Sequence, residues 1–209
     1  MHRASCSKPV HPFVLGTRLG KSVSCFRRGV TCSARDNKGG ELLTVKEVQA
    51  IAERRGLWLG IESLGPGYKI ECRDGGKKGN VLGFTNGFIV PFASYMHCDT
   101  LFTKGAKLKD EKEAWGGLGL GVLLGVATFA FGNQQGCRKA EILAINDDEY
   151  TARRLVKYYK YFGFKFVKEV SGTDLLDLLV WGGVGTKMSA DVQYMLWRWG
   201  KALRKEGFE

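Results

Sequence analysis

Residues 116–136 read GGLGLGVLLGVATFAFGNQQG, with no charged side chain among them and four of the first six positions occupied by glycine. So apolar a stretch has to be buried, and this demand constrains the chain more than any other. Its neighbours say how. Tyr95 to Thr103 (YMHCDTLFT) reads as a strand before it, and Arg138 to Ile145 reads as a strand after it. We read the uncharged stretch as a glycine loop opening a helix from Gly121 to about Gln134, closed by Gly136. Strand, glycine loop, helix and strand in that order suit a site where backbone N–H groups grip phosphate.

A membrane span is the competing reading. Trp115 to Gly136 is uncharged, and Gly117, Gly121 and Gly125 recur every fourth residue, as in packed membrane helices. Against it, five glycines crowd Gly116 to Gly125 and Asn133-Gln134-Gln135 intrude. A buried helix of a soluble domain is therefore the expectation, with no membrane span.

Charge shapes the partner classes. The chain of 209 residues carries a net charge of +11. Residues 1–35 contain Arg3, Lys8, Arg18, Lys21, Arg27, Arg28 and Arg35 and no acid, which leaves only +4 for the remainder. Nucleic-acid binding is accordingly not expected of the body. Residues 1–34 are Ser- and Arg-rich and lack a long apolar core. They read as a transit peptide whose Gly29-Val30-Thr31-Cys32-Ser33-Ala34 run resembles a chloroplast cleavage region. The chloroplast stroma is the expected address, with the mitochondrial matrix as alternative. Residues 35–44 read as a linker and 45–209 as one domain. Cys72, Cys98 and Cys137 show no paired spacing, so buried reduced thiols are expected and no metal site.

The remaining elements follow from periodicity. Thr44 caps a helix from Val45 to about Arg55, with Val48, Ile51 and Ala52 on one face. Leu57 to Ser63 and Tyr68 to Cys72 read as strands across the Gly65-Pro66-Gly67 turn. Val81 to Val90 reads as a strand broken near Asn86-Gly87. Glu149 to Phe162 is a basic amphipathic helix, ended by Gly163, with a strand from Phe164 to Val170. Leu175 to Val180 reads as the last strand, continued through Trp181 to Gly185 in extended form. A final helix covers 191–205, capped by Ser189 or Asp191. The fold class is α/β, a mixed, mainly antiparallel sheet flanked by helices.

Two motifs resemble the GCN5-related N-acetyltransferase superfamily, in its plant or algal plastid type, over about residues 45–185. One is Gly119-x-Gly121 leading into Val122-Leu123-Leu124. The other is Tyr158-Tyr159-Lys160-Tyr161-Phe162-Gly163-Phe164, similar to that family's aromatic-Tyr-x-x-x-Gly-Phe helix ending. The resemblance implies an acyl-CoA N-acyltransferase fold, acetyl-CoA as cosubstrate and an amine acceptor, either a small molecule or a protein. It implies cofactor contacts from Leu118, Gly119, Leu120, Gly121 and Val122, and from Phe102, Thr103 and Asn146. It assigns Tyr159 as general acid for the departing thiolate. Asp99 is the candidate base on the preceding strand, with His97 beside it read as structural. The family pattern is departed from at two places. Gly116 stands where a Gln or Arg contacts pyrophosphate, and Ala152 stands where an Asn is usual. A non-catalytic binding or interaction protein on the same fold is the alternative those departures favour.

The leader is checked by import into isolated chloroplasts. The full chain is expected to be imported and shortened, and a chain lacking residues 1–34 to stay outside. Cytosolic retention of the full chain refutes the address.

Overall fold

The computed structural model describes residues 41–90, 92–104, 117–146, 149–173 and 180–205. The transit-peptide region, Gly116 and the charged loop before it therefore lie outside the described residues. The elements run α1 (Val45–Arg54), β1 (Leu57–Leu64), β2 (Gly67–Asp74), β3 (Val81–Val90), β4 (Tyr95–Thr103) and α2 (Gly117–Gln134). They continue as β5 (Lys139–Ile145), α3 (Glu149–Phe162), β6 (Lys165–Val170), β7 (Gly185–Asp191) and α4 (Val192–Lys205).

Seven strands form one sheet in the order β1-β2-β3-β4-β5-β7-β6. Among the described strands only β4 and β5 pair in parallel; the other neighbours are antiparallel. The sheet is thus mixed and mainly antiparallel, with α2 as the crossover that parallel strands require. Side chains alternate across it. Leu59, Ile70, Met96, Ile142 and Met188 share one continuous core with residues from α1, α2, α3 and α4. On the far face a smaller cluster joins Leu143, Val170 and Trp181.

Local chemistry explains the element ends. Thr44 Oγ1 accepts from the Glu47 N–H at 3.3 Å, and the Thr44 N–H donates back to the Glu47 carboxylate at 2.7 Å. This reciprocal capping box fixes the start of α1. Asp191 Oδ1 accepts from the Tyr194 N–H at 2.7 Å and caps α4.

Two readings are corrected. α2 begins at Gly117, four residues before the expected start, because the glycines continue the helix instead of looping. The last strand is β7, Gly185–Asp191, between β5 and β6. Of the expected strand at 175–180, residues 175–179 lie outside the described residues, and Val180 is helical together with Trp181. β7 is poor in β-formers, and it is held by two neighbouring strands and the burial of Met188 and Ala190. As for a membrane span, no described helix is long and apolar enough to cross one. α2 instead buries Leu123, Leu124 and Ala127 completely within the core.

The break expected near Asn86-Gly87 is real, and its extra residue sits on the partner strand. Gly87 pairs with Cys98 and Asn86 with Thr100, leaving Asp99 as a bulge in β4. Tyr68 braces this point. Its hydroxyl crosses over Gly87 and donates to the His97 carbonyl at 3.2 Å, also touching Cys98 Sγ at 3.5 Å. A Cβ at Gly87 would collide with that same carbonyl. Tyr68→Phe is expected to lower stability by about 1 kcal/mol, a Tm fall of about 2–4 °C. Gly87→Ala should cost more than Tyr68→Phe. Thermal melts of the two variants check both; unchanged melting for Gly87→Ala would remove the brace from this account.

Candidate functional site

β4 and β5 run together for only four positions. Tyr95 to Cys98 pair with Lys139 to Ile142, and beyond them the strands part. The bulge at Asp99 begins where the pairing ends, and a bulge bends and twists its strand. It also reverses the facing of β4. Cys98 turns toward the helices before it and Leu101 does so after it, while Phe102 stacks on Phe84 with ring centroids 5.4 Å apart.

At the fork, α2 and α3 enclose an apolar cavity of about 40 Å³. Gly121, Gly125 and Phe129 line it from α2, and Tyr158, Tyr159 and Phe162 from α3. Cys98, Leu101 and Ile142 form its floor on the sheet. The volume holds roughly three waters. Tyr158 sets one limit: a Cβ on Gly121 would lie 2.7 Å from its hydroxyl oxygen. Glycine at 121 is thus what lets the phenol sit against the second turn of α2.

The expected site residues divide. Gly121 and Tyr159 meet across this cavity. Leu118 and Gly119 fall in the first turn of α2, where helix N–H groups have no partner within the helix, and Leu120 follows as the first whose N–H joins the ladder. Gly121 and Val122 lie one step further in, so their N–H groups are spent on the helix ladder and are not available to a ligand. Phe102, Thr103, Asp99 and Asn146 do not line the cavity. Asn146 is exposed past the end of β5, its N–H bonded to the Val184 carbonyl at 3.0 Å. Asp99 is exposed, and accepts from Thr100 Oγ1 at 3.2 Å. Tyr158, Phe129, Leu101 and Cys98 were not anticipated as lining residues. The doubled Tyr158-Tyr159 was the one available signal.

Burial dominates the ionisation of the site. It pushes the Tyr158 phenol up to about 12 and Tyr159 higher still, with Tyr158 and Cys98 adding to the latter. It likewise raises Tyr68 well above the usual phenol range and the Cys98 thiol to about 11. Cys98 is therefore a protonated wall and no nucleophile at neutral pH. Cys72, Cys98 and Cys137 are all free and buried, as expected. Among the described residues no cluster of His, Cys, Asp and Glu gathers that could hold a metal ion.

His97 lies on the far face of the sheet. It is 2% exposed and sandwiched between Phe88, centroid 4.4 Å away, and Trp181, 4.1 Å away. Its Nδ1 has no hydrogen-bond partner among the described residues. Burial lowers its pKa against the opposing pull of Asp99 and Glu141, so the ring is neutral at pH 7. Beside it Glu141 holds Lys187 at 2.8 Å, and that ammonium lies over the Trp181 ring at 5.2 Å.

A mixed sheet with a forked parallel pair, flanked by helices, is consistent with the acyl-CoA N-acyltransferase fold. Compared by sequence, the chain matches no protein-family model and no curated protein. Compared by structure, it is similar to several acetyltransferases. One is a spermidine N-acetyltransferase chimera from Vibrio cholerae and hSSAT, with 10% identity, 63% of this chain and 71% of that one covered, and a TM-score of 0.45. Another is a GNAT-family acetyltransferase from Staphylococcus aureus, with 12% identity, coverages of 60% and 68%, and a TM-score of 0.40. A third is Ard1 from Thermoplasma volcanium, with 16% identity, coverages of 59% and 69%, and a TM-score of 0.39. Overlaps this partial transfer no residue roles.

The tyrosines give a direct check. A raised phenol favours the folded state most below pH 10, and that contribution is lost as pH climbs toward the folded value. The phenolate absorbance belonging to Tyr68, Tyr158 and Tyr159 is thus expected only above pH 10, arriving together with alkaline unfolding. Replacing Tyr158 with Phe should remove one such late-titrating group. Full titration of every tyrosine by pH 10.5 with the fold intact would contradict the buried placement.

Proposed function

We propose that the chain binds an acyl-CoA at the β4–β5 fork and transfers its acyl group, acetyl in the simplest case, to an amine. The observation that carries this is the fork itself. Where β4 and β5 part, their inner edges keep N–H and C=O groups without strand partners among the described residues, next to the start of a helix. An extended arm bearing amides, such as pantetheine, is suited to pairing with such an edge as an added strand. The free N–H groups in the first turn of α2 are suited to the phosphates at the other end of CoA. The apolar cavity between them suits the thioester.

The amine nitrogen attacks the thioester carbonyl, the carbon–sulfur bond breaks, and the thiolate departs toward Tyr159. Burial holds that phenol protonated across the physiological range, so it is assigned as the hydrogen-bond donor that stabilises the departing thiolate. Asp99, at the point where β4 leaves β5, is assigned as the base that takes the amine proton. Stromal residence of the processed chain is part of the same proposal. The acceptor amine stays a class, small molecule or protein.

A second reading, a binding module without turnover, is favoured by Gly116 and Ala152, which stand where the resembled family has polar contacts. Thermal-shift titration with acetyl-CoA separates the possibilities. A shift accompanied by release of free thiol in the presence of amines supports the enzyme. A shift without turnover selects the module. No shift at millimolar acetyl-CoA removes the acyl-CoA site. In an active protein Tyr159→Phe should lower turnover roughly a hundredfold while the melt stays cooperative, and unchanged turnover would take Tyr159 out of the mechanism.

A further inference from the structure

Positive charge in the body of the chain is concentrated in two stretches. Tyr150 to Lys168 contains six cations and no acid, and Val192 to Lys205 contains four and no acid. The other residues from 36 onward therefore carry a net −6, since the whole from 36 has +4. The fold brings the C-terminal end of α3 against α4. Arg198 on α4 donates to the Tyr161 carbonyl on α3 at 3.0 Å, and Trp199 Nε1 donates to the Phe162 carbonyl at 2.7 Å.

The joined surface carries rings as well as charge. Tyr161 is 56% exposed, Trp197 49% and Tyr194 38%. Arg198 also donates to the Tyr194 hydroxyl at 3.3 Å, so the rings and the guanidinium form one contiguous patch. Lys157 and Lys160 on α3 and Lys201 on α4 are exposed around it. Such rings cost free energy in water, and nothing in the core requires them to point outward.

We propose that this patch seats the protein on an anionic lipid surface, with lysines and Arg198 at the headgroup phosphates and Trp197 and the tyrosines in the interfacial layer. Charge complementarity selects an anionic partner, and ring geometry selects a membrane over a single-stranded nucleic acid. Tyr194 lies three residues before Trp197, with centroids 6.0 Å apart, and Lys201 four residues after it, its ammonium 5.8 Å from the indole. Neighbours on the helix thus occupy space beside the half-exposed indole that a stacked base would need. A base needs an open ring face to stack on, whereas a rim enters the headgroup layer. This surface is independent of the acyl-CoA site, so either proposal can fail without the other.

The test is flotation of the full chain with vesicles of phosphatidylcholine alone or mixed with phosphatidylglycerol. The basic segment of residues 1–35 is the same in every variant, so differences between variants report the patch. Wild type is expected to float only with phosphatidylglycerol vesicles, and less as salt rises. Lys201→Ala should weaken binding about fivefold, and Tyr161→Ala with Trp197→Ala and Lys201→Ala together should weaken it at least tenfold. Lys157→Ala with Lys160→Ala, which leaves the rings in place, gives an independent loss if the triple variant folds poorly by circular dichroism. Two outcomes would overturn the proposal. One is flotation unchanged in both sets of variants. The other is variants that keep vesicle binding and lose a single-stranded oligonucleotide instead.

Discussion

The parting of β4 and β5 governs everything near the candidate site. A parallel pair needs a crossover, and here the crossover is α2, too apolar to sit anywhere but inside. Its bulk lies against the sheet, with Leu120 and Leu124 packed on Gly83 of β3. The bulge at Asp99 lets β4 bend away from β5 at Cys98 without surrendering its ladder to β3. Tyr68 locks the bend from the other side by bonding the carbonyl of His97, one position before the last paired residue. Gly87 is the clearance that makes this lock possible. The cavity is therefore a consequence of sheet topology, and aromatic side chains from α3 only set how much of it stays open.

Much of this was legible because amphipathic helices announce themselves. α1, α3 and α4 have apolar residues at helical spacing and polar caps, and their limits were readable to within a residue. α2 has no polar face to give a period, since nearly every side is buried. With periodicity silent, the glycines suggested a loop where the chain is already helical. β7 failed for the opposite reason. Its sequence, GTKMSAD, carries little β-propensity and shows only Met188 and Ala190 as an alternating pair. Its state is imposed by β5 and β6, and no local signal encodes a strand trapped between two others. The cavity walls were out of reach too, because Cys98, Phe129 and Tyr158 are brought together from three elements by the fork.

Net charge misled by averaging. A body of +4 looks nearly neutral, yet it is the sum of a strongly basic helical flank and an acidic remainder. Only the pairing of α3 with α4 makes the flank continuous. The same pairing explains why α4 carries three large aromatic residues within six positions. Trp199 turns inward to bond the Phe162 carbonyl, with its ring 4.9 Å from that of Phe162, while Tyr194 and Trp197 are left outside. Contact with the end of α3 accounts for Trp199 and not for the other two.

The helix ending that resembles a cofactor signature can be divided into parts with different causes. Gly163 has a φ of +118°, a left-handed backbone that side chains resist, and its N–H and that of Phe164 both return to the Tyr159 carbonyl at 3.1 and 2.9 Å. That is how a helix stops before a strand, and Met195 Sδ would lie 2.9 Å from any Cβ placed there. Phe164 then buries its ring against Tyr159 and Phe129. The Gly-Phe half of the motif is accounted for by chain reversal and packing, whatever the protein does. Tyr159 is different only in its hydroxyl. Its ring contacts would be met by phenylalanine, and desolvating a phenol carries a cost that the core does not need. Whatever chemistry the motif carries rests on that single oxygen.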